Sequence, residues 1–211
     1  MNIEAEDAFT KIYDEENWKS KDGEGGLDGQ GSRLDYTKKF REELPKFLSK
    51  WKIKSILDAS CGEFIWMRHV DLKGIKYIGG DIVREKIDVL KEDFPDKEWH
   101  HLDIITDPLP KADLWFCRDT LFHFPEKYVR LALENFLASD IKYILTSTHP
   151  EQPRTKDLLN FGAFSVINLQ DEVFDFPDPL DSMLDSPRGA LHRKMFLYKR
   201  EDMKKFDYFN D

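Results

Sequence analysis

Only 2 cysteines occur in the 211 residues, and Cys61 and Cys117 stand too far apart in sequence to seed a disulfide framework or a thiolate zinc site. They read as reduced thiols at predicted strand ends, close to a pocket. Long apolar runs are missing as well, and none approaches the roughly 20 residues that a bilayer span requires. The opening residues, Met1 to Asp7, are acidic and lack the apolar core of a signal peptide. The expectation is a soluble, cytoplasmic protein without membrane insertion. A block of positive charge is also lacking: 32 Lys and Arg face 41 Asp and Glu, for a formal net charge of -9, which argues against a nucleic-acid partner. No internal repeat is present. A hydrophobic content of 40% suits one sizeable core better than two cramped ones. The expected organisation is an N-terminal arm or lid over residues 1–34, followed by a single domain over 35–211.

What the chain does have is a rhythm. Residues 1–34 carry weak periodicity, and the glycine-rich stretch Lys21 to Ser32 is loop-forming. Tyr13 and Trp18 precede it, and a solvated arm seldom carries large aromatics, so the arm reads as a lid that orders over a ligand. Phe40, Leu44, Phe47, Leu48 and Trp51 recur at helical spacing, with Ser32 or Asp35 as N-cap and Pro45 making one kinked helix or two short ones. Strand and helix patterns then alternate: strands over 53–58, 76–81, 98–103, 112–117 and 142–146, with helices over 63–70, 84–94 and 126–137. This is the signature of a parallel α/β sheet. A sixth strand is expected over Phe164 to Leu169 and a last one over His192 to Arg200, followed by a polar tail. Phe174 to Leu180 holds two prolines and reads as a fixed loop.

Three acids close successive strands: Asp58, Asp81 and Asp103. In a doubly wound sheet those ends border one crevice, and an acid roughly 20 residues beyond the first turn is placed to take ribose hydroxyls. The turn Ser55 to Trp66 runs from an apolar strand through an acid and small residues into a predicted helix, a geometry that offers backbone N–H groups to a ligand. The G-x-G-x-x-G run of dinucleotide proteins is absent. Ser60 and Phe64 stand where glycines would be expected and Gly62 remains, so a nucleoside cofactor without a pyrophosphate fits better.

On these residues the sequence resembles the class I S-adenosylmethionine-dependent methyltransferases. Leu57-Asp58-Ala59-Ser60-Cys61-Gly62 looks like their first motif, Tyr77-Ile78-Gly79-Gly80-Asp81-Ile82 like the acidic second-strand motif, and Leu102-Asp103-Ile104 like the adenine-edge motif. More narrowly, Gly29-Gln30-Gly31-Ser32, Thr37, the run from Cys61 to Met67 and the run from Cys117 to His123 resemble a group of small methyltransferases of bacteria and large viruses. Some of that group lie beside or are fused to glycosyltransferases. The resemblance implies a Rossmann-like α/β fold with a mostly parallel seven-stranded sheet and helices on both faces. It implies S-adenosylmethionine as cofactor, with Ser60 and Gly62 near its methionine end, Asp58 supporting that end, Asp81 with Ile82 on the ribose side, and Asp103 with Ile104 on adenine. Gly31, Ser32 and Thr37 would close over the carboxylate or sulfonium side, Trp18 would act as a lid, and Arg118 would pair with the cofactor carboxylate. A small-molecule or glycan acceptor and a glycosyltransferase partner or fusion are implied in the same way. No Asn-Pro-Pro-Tyr-like run follows the fourth strand, which argues against methylation of DNA amino groups.

Methyl transfer to a hydroxyl needs alignment and a base. Asp119 and His123 follow the fourth strand at the mouth of the crevice. His123 has the better intrinsic pKa, about 6.5, and Asp119 either orients it or is itself the base. The competing reading makes His123 a packed core histidine and Asp119 a helix cap. His149 and Asn168 are further crevice residues, and no cluster has metal-ligand spacing, so a metal-independent enzyme is expected. The leading function is O-methylation of a sugar hydroxyl. The alternatives are N-methylation of a small amine or protein side chain, and a noncatalytic module of the same fold assisting a glycosyltransferase. Acceptor specificity is expected in the loops 18–34, 149–163 and 171–190.

Overall fold

The computed structural model describes residues 1–20, 24–153, 155–185 and 192–203. Parts of the three loops assigned to the acceptor (21–23, 154, 186–191) and most of the polar tail (204–211) lie outside the described residues. Seven strands form one sheet: β1 Ser55–Ala59, β2 Lys76–Asp81, β3 Glu98–His101, β4 Leu114–Cys117, β5 Tyr143–Thr148, β6 Asp181–Leu184 and β7 Lys194–Lys199. Their order is β3-β2-β1-β4-β5-β7-β6. The first five are parallel, and β7 runs antiparallel between β5 and β6.

Alternate side chains of the central strands feed two cores, as the two-residue period of a strand requires. Leu57, Ala59, Trp115, Cys117 and Ile144 pack with α1 (Ile3–Asp14) and α4 (Glu126–Ala138). Ile56, Leu114, Phe116 and Leu145 pack with α2 (Leu34–Lys50) and α3 (Arg84–Asp93). Helices on both faces of a mostly parallel sheet give the expected Rossmann-like arrangement.

Several local expectations are corrected. Residues 1–14 contain a helix that the weak periodicity hid. Asn2 caps it through the Ala5 N–H, Glu4 and Glu6 favour its positive end, and Ala5, Phe9 and Tyr13 bury one stripe. The α2 helix is continuous through Pro45, and its N-cap is Arg33 rather than Ser32 or Asp35; the Asp35 carboxylate instead binds Arg33 and the Tyr36 N–H. No regular α-helix covers 63–70, only a 3-10 turn at Met67–His69. Phe64 has a positive φ of 58° and drops among Tyr77, Phe94 and Trp99, with ring centroids 4.9–5.2 Å away, so its packing draws the backbone out of helical geometry. The sixth strand is not 164–169. Position beside β5 is taken by β7, and the 164–169 segment bonds elsewhere: Ser165 N–H to the Phe122 carbonyl, Leu169 N–H to Thr148 Oγ1. The two-proline segment is irregular as expected, and the strand β6 follows it directly.

Candidate functional site

The chain order reverses between β1 and β4, and there the strand ends border a cleft whose free space, mouth included, is about 840 Å³. Asp58 and Ser60 enter it from β1, Asp81 and Ile82 from β2, Asp103 and Ile104 from beyond β3, and Arg118 with Asp119 from β4. Ser32, Gly62, Trp18 and His123 complete the set of expected residues on its walls. Two expected residues do not line it. The Thr37 hydroxyl donates to the Arg33 carbonyl at 2.8 Å inside its own helix, and Gly31 lies behind the wall with its carbonyl accepting from Arg118 at 3.0 Å.

Three carboxylates crowd the turn after β1. Asp58 is buried and accepts from the Tyr77 hydroxyl at 2.7 Å, and Asp81 accepts from the Gly62 and Val83 N–H groups, both at 3.0 Å. The third, Asp28, comes from the arm: it accepts from the Glu63 N–H and from the Tyr13 hydroxyl, each at 2.8 Å. Burial pushes Asp58 and Asp28 up to about 7, and Asp81 is raised by the same cause. The Cys61 thiol, beside them, is pushed up first by burial and then by Asp81 and Asp58, so it is a neutral lining group rather than a nucleophile. Apolar side chains also line the cleft: Phe9, Ile82, Leu102, Ile104 and Phe124. A pocket with an acidic end and an apolar lining fits a nucleoside that carries positive charge.

Asp103 is more committed than the sequence suggests. Its carboxylate takes the Ile105 N–H at 2.8 Å, the Thr106 hydroxyl at 2.7 Å and the N–H of Asn2, so it fastens the start of α1 to the cleft edge. Arg118 is likewise engaged. Its Nε faces both oxygens of Asp185 at 3.0 Å, Nη1 lies 3.3 Å from Asp119, and Nη2 donates to the Gly31 carbonyl at 3.0 Å, while the residue lines the cleft.

Beyond β4, Asp119 adopts a positive φ of 57° and joins an interior network of two carboxylates and two guanidiniums. Arg193 reaches Asp119 at 2.8 Å and Asp185 at 3.1 Å. Burial pushes the Asp119 carboxyl up, but Arg118 and Arg193 outweigh it and hold it below the usual carboxylate range. His123 sits in a 3-10 turn, not the helix that a four-residue spacing suggested, and its ring lies 4.6 Å from Trp18 and 4.6 Å from Phe122. Its Nδ1 is 2.9 Å from the Ala163 carbonyl, which can only accept, so Nδ1 carries the proton and Nε2 keeps a free lone pair. Burial depresses its pKa, which keeps the ring neutral. His149 is also neutral, pushed down to about 4 by burial, and its backbone and Nδ1 pair with Ile167. Among the described residues no group of three or more His, Cys, Asp or Glu side chains gathers in metal-holding geometry.

Sequence reasoning missed Asp28, Asp185 and Arg193, and it noted Tyr13 only as an aromatic of the arm. Asp28 is set among Gly25, Gly26, Gly29 and Gly31, but Asp22 and Glu24 share the same glycine-rich stretch, so composition alone did not single it out. Asp185 and Arg193 close the β6–β7 hairpin, with the Asp185 N–H on the Arg193 carbonyl, and a strand placed at 164–169 concealed that hairpin.

This sheet order, with its antiparallel last pair and a cleft at the strand ends, is the fold of the class I S-adenosylmethionine-dependent methyltransferases. The 1,6-didemethyltoxoflavin-N1-methyltransferase of Burkholderia thailandensis, crystallised with S-adenosylhomocysteine, superposes with a TM-score of 0.64 at 12% identity over 92% of this chain and 86% of that one. Human N-acetylserotonin methyltransferase with bound S-adenosylmethionine gives 0.58 at 18% identity, over 92% of this chain and 59% of that one. Magnesium protoporphyrin IX methyltransferase of Synechocystis PCC 6803, also with S-adenosylmethionine, gives 0.56 at 12% identity, over 78% and 80%. No family profile and no curated protein matches the sequence. At such identities the likeness establishes the fold and leaves the chemistry to the residues.

Proposed function

We propose that the protein transfers a methyl group from S-adenosylmethionine to a hydroxyl of a small acceptor, a sugar of a glycan or glycan precursor. The observation that carries this reading is the placement of three carboxyls, Asp28, Asp58 and Asp81, around the turn after β1 at one end of the cleft. Buried carboxyls so placed favour a cation, and the cofactor brings both an ammonium and a sulfonium on an adenosine that suits the Ile82, Leu102 and Ile104 wall. When bound, it supplies an electrophilic methyl carbon. The protein's own part is to align the acceptor oxygen and to receive its proton. His123 Nε2 is the receiving atom. Asp119, paired with two guanidiniums, is too stabilised as an anion to be the base and acts as a positioning residue that keeps negative charge near the imidazolium as it forms. A half-exposed Phe164 near Phe122 and the Trp18 ring over His123 offer the flat apolar surfaces on which the C–H face of a pyranose packs.

The arm is read as the lid of this site, and a glycosyltransferase, the class of enzyme that makes such acceptors, as its partner. Incubation with methyl-labelled S-adenosylmethionine and a panel of sugars and amines tests the reading. Label should pass to a hydroxylated sugar in the wild type and fall sharply in His123→Ala; transfer to amines alone would replace it with N-methylation. That second reading draws on two structural neighbours described as N-methyltransferases. Label retained wholly on the cofactor across the panel would favour a binding module.

A further inference from the structure

The arm contributes a charge to the cleft that none of the sheet motifs contains. Asp28 stands in a 3-10 turn at Gly26–Asp28, and its carboxylate lies flat against the glycine of the turn after β1: a Cβ added at Gly62 would fall 2.5–2.6 Å from its three carboxylate atoms. Gly62 also has a positive φ of 56°, so the turn requires glycine twice over, once for its backbone and once for this contact. The Glu63 N–H, which in a phosphate-binding turn would point at an anion, is already given to Asp28 at 2.8 Å. The loop is fastened around it: the Leu27 N–H donates to Glu63 Oε2 at 2.6 Å, and Lys86 pairs with Glu63 Oε1 at 2.7 Å while lying over the Tyr13 ring at 4.4 Å.

The two partners of Asp28 are therefore a phenol and an amide, and among the described residues no cation pairs with it. Each of its oxygens keeps a free lone pair. The nearby ionisable groups Glu63, Asp81 and Asp58 are all acidic, and Lys86 is engaged by Glu63. The other two carboxylates of the cleft are differently used. Asp81 has one backbone N–H on each oxygen, and Asp58 lies deeper, beneath Tyr77, within the field of Arg118.

We propose that Asp28 is the residue that selects the cofactor by its amino-acid end: its carboxylate takes the ligand's ammonium group and, by occupying the turn's N–H, rejects nucleotides that would place a phosphate there. This rests on the reading of the cleft as an S-adenosylmethionine site and adds a specificity determinant carried by the arm rather than by the sheet. A charge-assisted contact of this kind accounts for a preference of about tenfold to a hundredfold.

Calorimetry with S-adenosylhomocysteine, 5′-methylthioadenosine and AMP, on the wild type and on Asp28→Asn, tests it. Methylthioadenosine shares the nucleoside and the sulfur but lacks the amino-acid end. The wild type should prefer S-adenosylhomocysteine over methylthioadenosine by at least tenfold and bind AMP weakest. In Asp28→Asn, which keeps the shape and one acceptor oxygen, S-adenosylhomocysteine should weaken by about tenfold or more while methylthioadenosine is unchanged, which also shows that the variant is folded. An unchanged preference in Asp28→Asn overturns the assignment to Asp28 while leaving the cofactor reading intact. A wild type that binds none of the three overturns both. The wild type alone supplies a further check that needs no variant: the deaminated analogue of S-adenosylhomocysteine, with its carboxylate kept, should bind at least tenfold more weakly than the parent, and equal binding contradicts the proposal.

Discussion

A neutral His123 whose Nδ1 is committed to the Ala163 carbonyl has one ring nitrogen left for chemistry, and the residue lines the cleft together with Trp18. General-base contributions run to about 10²–10⁴ in rate, so His123→Ala should lower kcat by that order while leaving S-adenosylhomocysteine affinity within about twofold, as single-turnover and binding measurements would show. Because burial depresses the His123 pKa, the base stays unprotonated below the ordinary value, and the acid limb of the kcat profile should lie under about pH 6.5. A limb centred above pH 7 would contradict the assignment. Asp58 makes a second prediction through stability. Its carboxyl titrates near 3.8 when unfolded and at about 7 when folded, so the folded state holds the extra proton between those values. Stability is therefore lost as pH rises from about 4 to 7, by an amount on the order of 4 kcal/mol at about 1.4 kcal/mol per pH unit. Asp58→Asn removes that slope. Its melting temperature relative to wild type should climb as pH increases through this window, and a pH-independent difference would show that Asp58 is not raised.

The elements that matter are the arm and the turn, and they meet through small residues. A Cβ at Gly31 would fall 2.4 Å from Asp119 Oδ2, so Gly31→Ala must displace either the arm or the carboxylate. Turnover should fall at least tenfold even though Gly31 does not itself line the cleft. One loop carries Asp28 to the turn and Trp18 onto His123, so on the proposed function the cofactor site and the base are organised by the same segment. S-adenosylhomocysteine should accordingly slow proteolysis within residues 15–33, and cleavage at the unliganded rate would separate the arm from the site. At this scale the sequence was informative where contacts are local. Asp58, Asp81 and Asp103 were visible because each lies at or within two residues of the end of its own strand, and the α3 and α4 helices because their apolar stripes repeat. The contact of Asp28 with Glu63, by contrast, joins segments with no shared periodicity. The 63–70 helix failed because Phe64 finds three aromatic rings outside the local chain. The strand proposed at 164–169 failed because a β pattern does not say which strand will occupy the edge beside β5; the hairpin of β6 and β7 had already filled it.

Over the whole molecule, the sheet is a device for bringing distant residues to one line. Parallel pairing of β3, β2, β1 and β4 sets four strand ends side by side, and the helices on both faces close the core beneath them. The same architecture explains why Arg118 and Asp119 were found by sequence and Asp185 and Arg193 were not: the former follow a central strand, the latter frame a hairpin at the far side of the sheet. Arg118 and Arg193 each reach both Asp119 and Asp185. Asp119→Asn removes one ionic partner from each guanidinium, which should cost on the order of 3 kcal/mol in denaturant unfolding. The acidic end of the cleft, formed by Asp28, Asp58 and Asp81, points toward a cationic nucleoside. Titration calorimetry of the chain with S-adenosylhomocysteine tests this most directly. Binding at one site in the wild type, weakened at least tenfold in Asp81→Ala, is the result expected; no binding by the wild type, or equal binding by the variant, would contradict it.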